Sequence, residues 1–314
     1  MERFLVTGGL GCIGSWIAHE LCAEQAEVIV GDLGGSRHRL EQLLGNGVDG
    51  LIEAPLDITD PAAVNAFFET YRPTHVIHLA ALQVPFCKAD PVGGARVNVV
   101  GSIVLMEAMA TYLPTSTFTY ASSIAAYGDD DEPMVDGRAD TAPHGVPRTL
   151  YGVYKRANED SAAVYHRDRG LASIGLRPYV VYGVGRDQGV TAAPTAAMQA
   201  AARGEPYRIT YGGRAVFHHA RDAARAFIAA ARSEASGAEV VNLPGDEVAM
   251  HDVVAAIVSA EPAAEITFDD VQLPFPPSFD LTKFERTVGA LDRYTLEDGV
   301  NETVQRFRAL DALR

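Results

Sequence analysis

Thr7-Gly8-Gly9-Leu10-Gly11-Cys12-Ile13-Gly14 follows directly on the apolar run Phe4-Leu5-Val6. It leads into a stretch where Ile13, Trp16, Ile17 and Leu21 recur at three- and four-residue steps. The apolar run reads as a buried strand and the recurrence as the inner face of a helix. Gly8, Gly11 and Gly14 stand three apart. They permit a tight turn, close approach of backbone N–H groups to a pyrophosphate, and close packing of helix on strand. The pyrophosphate would then meet the positive end of the helix. A glycine triplet alone is common in turns; its setting between strand and helix gives it the dinucleotide-binding reading.

The next strand, Glu27-Val28-Ile29-Val30-Gly31, ends at Asp32. A carboxylate there can accept both ribose hydroxyls of an adenosine and repels a 2′-phosphate, so Asp32 points to NAD rather than NADP. Arg37 and Arg39, in Ser36-Arg37-His38-Arg39, could soften that preference. Beyond them the pattern predicts a helix near residues 40–44 and a strand at 50–54. A helix at 62–71 is opened by Asp60-Pro61, an aspartate cap with proline in the first turn. A strand at 74–79, a long helix at 93–112 and a strand at 116–121 follow. The Asp-, Pro- and Gly-rich stretch from Gly128 to Pro147 reads as a loop. A helix then runs to about residue 169, with a strand at 172–176.

This alternation predicts an α/β fold, a doubly wound parallel Rossmann sheet over residues 1–183. Ligands then lie beyond the carboxyl ends of the strands, where Asp32, Asp57, Ala80, Ser123 and Tyr179 fall. From residue 184 to 314 the pattern loosens. Helices at 195–203, 222–232, 251–259 and 296–310, and an extended loop at Leu273-Pro274-Phe275-Pro276-Pro277, predict a smaller C-terminal α/β substrate lobe. The chain is expected to cross between the two lobes.

Tyr151 and Lys155 share one face of a helix at i, i+4 spacing, and Ser123 lies upstream in Tyr120-Ala121-Ser122-Ser123. A cationic neighbour favours the phenolate and brings the tyrosine down from a pKa of about 10, towards proton exchange near neutrality. The serine hydroxyl can hold a substrate oxygen meanwhile. Such a trio suits reversible alcohol–ketone redox with a nicotinamide as hydride partner. Taken alone the Tyr-x-x-x-Lys pair is an ordinary surface pair; its position after a complete dinucleotide loop is what makes it chemical.

The balance of 26 Lys+Arg against 41 Asp+Glu, a net charge of −15, argues against nucleic acid or an anionic membrane surface as partner. No apolar run approaches eighteen residues, so no membrane span is expected. The first strand begins at about residue 3, which leaves no room for a signal peptide. Cys12, Cys22 and Cys87 lack Cys-x-x-Cys spacing and read as reduced thiols of a cytoplasmic protein. The nine histidines show no ligand spacing, so no metal site is expected.

Thr7 to Gly14, Asp32, Asp57-Ile58, His78-Leu79-Ala80-Ala81, Asn98, Ser122-Ser123, Tyr127-Gly128, Tyr151…Lys155 and Arg177-Pro178-Tyr179-Val180-Val181-Tyr182-Gly183 stand in a telling order. In that order they resemble the extended short-chain dehydrogenases/reductases, the family of NAD-dependent sugar epimerases and dehydratases. The resemblance continues through Phe217-His218-His219-Ala220-Arg221-Asp222, Asp280-Leu281-Thr282-Lys283 and Thr295-Leu296-Glu297-Asp298-Gly299. It implies Ser123 as the group that orients the substrate oxygen, Tyr151 as acid/base, and Lys155 as holder of the nicotinamide ribose that also lowers the tyrosine pKa. It implies a cofactor groove formed by Gly8, Gly11, Cys12, Ile13 and Gly14. Asp57 and Ile58 would flank the adenine, and Leu79, Ala80, Ala81 and Asn98 would line the middle. Pro178, Tyr179, Val180 and Val181 would border the nicotinamide. Asp222 is expected to cap a helix rather than to act in catalysis. A homodimer is implied, through the helices at 93–112 and 151–169, with Val99, Ile103, Leu105, Met106, Val164 and Tyr165 as candidate apolar surface.

Three departures narrow the substrate. Members that take nucleotide sugars carry asparagine where Val180 stands, arginine where Ala215 stands, and Arg-x-Gly-Asp where Val271 to Pro277 stands. A diphosphate would lose charge-assisted bonds of about 1.5–3 kcal/mol each. Arg186, Arg208 and Arg214 are nearby and could substitute. The expected activity is hydride transfer at a secondary hydroxyl of a sugar or sugar acid without a nucleotide, once as a dehydrogenase or out and back as an epimerase, with Arg186 as partner of a single carboxylate beside Ser123 and Tyr151. A UDP-sugar 4-epimerase is the alternative. A non-catalytic NAD-binding regulator is a second alternative, which retention of both Tyr151 and Lys155 disfavours. Ile124 and Ala125, where dehydratases carry acids, disfavour dehydration.

Overall fold

Strand β1 (Arg3–Thr7) sends Phe4 and Val6 to one face of a sheet and Leu5 to the other, and all three are fully buried. Strand β2 (Glu27–Asp32) repeats the pattern, with Val28 and Val30 opposed to Ile29. Side chains alternate with period two, so a strand apolar at every position needs cover on both faces. In this computed structural model, which describes residues 2–128 and 145–312, helices supply that cover. The loop expected from Gly128 to Pro147 lies outside the described residues except at its ends, and these pair in an antiparallel bridge.

The large sheet adds β3 (Ile52–Pro55), β4 (His75–His78), β5 (Phe118–Ala121), β6 (Ser173–Arg177) and a late strand, β10 (Ala238–Asn242). All seven run parallel in the order β10-β6-β5-β4-β1-β2-β3. The order reverses between β1 and β4, and a cleft opens there beyond the strand ends, as doubly wound sheets require. Helices α1 (Cys12–Ala23) and α2 (His38–Leu44) cover one face with α9 (Ala220–Arg232). On the other lie α3 (Pro61–Tyr71), α6 (Gly101–Tyr112) and α7 (Leu150–Arg169). Asp60 caps α3 as expected, accepting from the N–H groups of Ala62 and Ala63.

The helix expected at 93–112 is built in pieces. After a separate short helix, α4 (Val84–Ala89), come α5 (Pro91–Ala95), a π turn at Arg96–Val100 and then α6. The π turn carries Asn98 inward, where its Oδ1 accepts from Leu82 N at 2.7 Å and its Nδ2 donates to Leu82 O at 2.9 Å. The stretch Pro91–Tyr112 corrects one expectation, because its 22 residues are long and apolar enough, by length and composition, to cross a membrane. Half of it is buried in the fold. A second correction follows: Leu105 and Met106, expected to offer surface to a partner, are fully buried against the sheet, whereas Val100 and Val164 are exposed.

In the second half of the chain, β7 (Val180–Tyr182) pairs parallel with β9 (Arg214–His219), and β9 pairs antiparallel with β11 (Asp246–Ala249). A two-stranded sheet joins β8 (Tyr207–Ile209) to β12 (Ile266–Phe268). Around these pack α8 (Ala193–Arg203), α10 (Met250–Ala260), α11 (Thr282–Thr287) and α12 (Leu296–Ala312). The pairing follows no single cut at residue 183: β7, before it, joins the small sheet, and β10, after it, completes the large one. Asp222 does not cap α9. His219 does, accepting from Arg221 N, while Asp222 accepts from Tyr294 N at 3.0 Å and ties down the approach to α12.

Beneath the strand ends lies an ion pair that the sequence does not announce. Arg177 and Glu159, both buried, meet through Nε–Oε1 at 2.7 Å and Nη2–Oε2 at 2.6 Å. Glu159 also accepts from the Ser122 hydroxyl, and the guanidinium lies 4.6 Å from the Tyr127 ring centre. Removing one member of such a pair leaves an uncompensated buried charge, at a typical cost of about 3–5 kcal/mol. Glu159→Leu should therefore lower the urea midpoint steeply, and the double variant Glu159→Leu/Arg177→Met should recover most of the loss. Equal stability of the single variant and the parent would contradict the account.

Candidate active site

The cleft between the ends of β1 and β4 has a volume of about 640 Å³ and is lined by Gly8, Gly11, Cys12, Ile13 and Gly14 on one wall. Gly8, at φ +69°, has no room for a side chain, since a Cβ would stand 2.7 Å from Ala80 N. At Gly14 a Cβ would stand 2.6 Å from the carbonyl oxygen of Gly8. The turn is thus fitted to glycine by contact. α1 begins at Cys12 with no side-chain cap, so its first N–H groups are available to an anion in the cleft. Burial pushes the Cys12 thiol up to about 11, which keeps it neutral there. These features fit a dinucleotide pyrophosphate.

Asp32, Asp57 and Ile58 line the adenosine end. Asp32 accepts from Leu10 N at 3.3 Å and Leu33 N at 2.8 Å; burial raises its pKa, against these bonds and the charge of Arg39. Asp57 is fixed by Thr59, whose N–H and hydroxyl both donate to Oδ1 at 2.8 Å. The two arginines that could receive a 2′-phosphate are already engaged. Arg37 pairs with Glu53 at 2.8 Å. Arg39 donates to Leu10 O at 2.9 Å and to Asp187 at 2.6 Å, and His38 meets the same carboxylate at 2.8 Å. Asp187 thereby latches the loop after β7 to the glycine turn.

Leu79, Ala80 and Ala81 line the middle of the cleft. Asn98 does not, which corrects the expectation: its carboxamide is spent on the Leu82 main chain. Deeper still, His78 lies between Thr7 Oγ1 at 2.7 Å and Ser102 Oγ at 2.9 Å, and burial holds it neutral with a pKa of about 3.

Ser123, Tyr151 and Lys155 converge on the same cleft. Thr149 caps α7 by accepting from Gly152 N. Gly152 is the residue the sequence reading missed. A Cβ there would collide with the carbonyl of Ala125, so only glycine lets α7 rest on the turn that follows Ser123. That contact sets Tyr151 in the same cleft as Ser123. Lys155 is buried. Its Nζ donates to Ala121 O at 2.7 Å and stands 5.6 Å from the Tyr151 ring centre, and burial brings its pKa down to about 8. Burial raises the Tyr151 pKa, while the Ser123 bond and the charge of Arg186 oppose that rise. The charge of Arg186 favours the phenolate in this arrangement.

Tyr179, Val181 and Pro178 line the cleft, whereas Val180, on the alternate face of β7, is wholly buried away from it. Among the described residues, Lys155 and Arg186 are the cations in the lining. Arg186 Nη2 donates to Thr191 Oγ1 at 2.8 Å; its Nε is buried without a partner, and it meets no carboxylate among the described residues. Arg208 and Arg214 lie outside the cleft, the first paired with Asp269 at 2.6 Å, the second donating to Glu247 O at 3.0 Å. Ala215 is buried, and Leu273, Pro274 and Phe275 close the far wall with apolar surface. Phe275 packs edge-on to Tyr179, with ring centres 5.8 Å apart.

The latch yields a test. Asp187→Asn should free Arg39 beside Asp32 and narrow the preference for NAD over NADP. It should also quicken NADH release about three- to tenfold, since part-exposed ion pairs contribute about 0.2–1 kcal/mol each. Fluorescence titration and stopped-flow dissociation measure both; an unchanged release rate would count against the latch.

The profile of the NAD dependent epimerase/dehydratase family matches residues 4–243. UDP-glucuronate 4-epimerase 3 of Arabidopsis thaliana is 30% identical over 188 residues, which take in 57% of this chain and 42% of that protein. The chain therefore spans less than half the length of this curated relative. The UDP-glucose 4-epimerase of Thermus thermophilus, solved in complex with NAD, superposes with a TM-score of 0.80 at 28% identity, over 98% of this chain and 99% of the other. The L-threonine dehydrogenase of Clostridium difficile, at 21% identity and a TM-score of 0.84 over 99% and 98%, shares the fold. The chain belongs to the NAD dependent epimerase/dehydratase family.

Proposed function

We propose that this protein is an NAD-dependent oxidoreductase acting at a secondary hydroxyl of a small sugar-derived acid. The observation that carries the reading is Arg186: a guanidinium in the cleft wall with no carboxylate of its own among the described residues, near enough to Tyr151 to bias its ionisation. Charge is divided along the cleft, with Asp32 and Asp57 at the adenosine end and Lys155 and Arg186 at the other. One guanidinium matches one carboxylate bidentately.

NAD, when bound, supplies the hydride acceptor. The chain's own residues manage the proton and the orientation. Ser123 holds the carbinol oxygen, and Tyr151 takes its proton as the carbon is oxidised to the ketone. Lys155, fixed on Ala121 O, presents its remaining donors to the cofactor ribose. Arg186 anchors the acid so that the carbinol faces Tyr151. A UDP-sugar 4-epimerase is the second reading, favoured by the relatives. The buried Ala215 and Val180 and the apolar wall at Leu273 to Phe275 weigh against it, because a diphosphate there would find no charged partner.

A panel of aldonates, uronates, free sugars and UDP-sugars, followed by NADH formation, tests the proposal. An acid should give the highest kcat/KM. Tyr151→Phe should lose about 10²–10⁴-fold in rate with NAD affinity unchanged. Arg186→Ala should raise KM for the acid about tenfold or more. It should also move the rise of kcat/KM with pH to higher pH, since removing a positive charge raises the Tyr151 pKa and delays formation of the base. Efficient conversion of a UDP-sugar would overturn the substrate assignment.

A further inference from the structure

Gln83 stands in the loop after β4, at the N-cap position of α4, and lines the same cleft as Arg186. Its carboxamide neither caps the helix nor makes a hydrogen bond to the described residues. Gly189, at φ +87°, lies between the two side chains. A Cβ there would stand 2.9 Å from Gln83 Oε1 and 3.6 Å from Arg186 Nη2. A side chain at position 189 would thus crowd the carboxamide and touch the guanidinium, and glycine leaves the space beside them open. Two groups from different segments, one a carboxamide with no hydrogen bond to the described residues and one a guanidinium with no carboxylate among them, therefore come together beside Gly189 in the cleft.

The two differ in what they can recognise. A guanidinium offers donors alone and matches a carboxylate; a carboxamide offers donor and acceptor side by side, and so matches a hydroxyl, which is both. We propose that Gln83 is a specificity-determining residue that bonds a non-reacting hydroxyl close to the substrate's carboxylate. The enzyme then selects polyhydroxy acids over monohydroxy acids. The inference rests on the reading of Arg186 as carboxylate partner and adds a second contact to it. A cleft polar group left without its partner penalises the analogue that lacks the hydroxyl, which is how hydrogen-bonding sites discriminate.

The test compares a four-carbon aldonate with monohydroxybutanoates, in the parent, Gln83→Leu, Gln83→Glu and Arg186→Ala proteins. Turnover and calorimetric binding to the NADH-bound protein are both measured. In the parent the aldonate should be favoured about tenfold or more in kcat/KM. Gln83→Leu, which removes no hydrogen bond from the fold, should raise KM for the aldonate by a similar factor. It should leave kcat and the monohydroxy acids nearly unchanged, so that the preference collapses. Gln83→Glu sets a carboxylate beside Arg186 and should weaken every acid. If Gln83→Leu keeps the full preference while Arg186→Ala still weakens the acids, the role of Gln83 is refuted and the carboxylate reading stands. If Arg186→Ala leaves acid binding unchanged, or no acid binds, both fall together.

Discussion

The site depends on one contact between main chains: the backbone at Gly152 resting against the carbonyl of Ala125. Any side chain at residue 152 would push α7 outward and with it Tyr151, one position before, and Lys155, three positions after. The contact sets the Tyr151 phenol in the same cleft as Ser123, which directly follows the end of β5. Proton transfer falls off within a fraction of an ångström of misplacement, so a main-chain constraint is a firmer support than a flexible side chain. The buried Arg177–Glu159 pair braces the same corner from below, because Glu159 lies one turn beyond Lys155 and accepts from the neighbour of Ser123.

Electrostatics then divides the labour along the cleft. Asp32 and Asp57 make one end suited to hydroxyl-rich adenosine, and Arg186 makes the other suited to a single anion. The two ends are mechanically linked, because Asp187, next to Arg186, is held by His38 and Arg39, and Arg39 in turn holds the glycine turn at Leu10. The arginine that could have accepted a second phosphate on the cofactor instead holds Asp187, the neighbour of Arg186.

Much of this was legible in the sequence where the signal is local. The glycine turn, Asp32, the Asp60 cap and the Tyr151–Lys155 pair rest on spacing within or beside a single element, and the structure brings that pair and Ser123 into one cleft. What failed depended on direction or on distant partners. Asn98 faces Leu82 because a π turn shifts the helical register, which residue types do not disclose. Leu105 and Met106 sit on a helix apolar nearly all round, where periodicity cannot separate the sheet side from the outer side. Arg177 and Glu159 pair across a strand and a helix, and Gln83 stands in a loop with no periodic signal.

The central claim is that the charge in this cleft is arranged for one carboxylate and not for a nucleotide diphosphate. Calorimetric titration of the NADH-bound protein with UDP tests it most directly, because UDP carries the diphosphate without the sugar. The account predicts no measurable heat of binding at millimolar UDP. Binding at micromolar UDP would contradict it and show that the cleft holds a diphosphate after all.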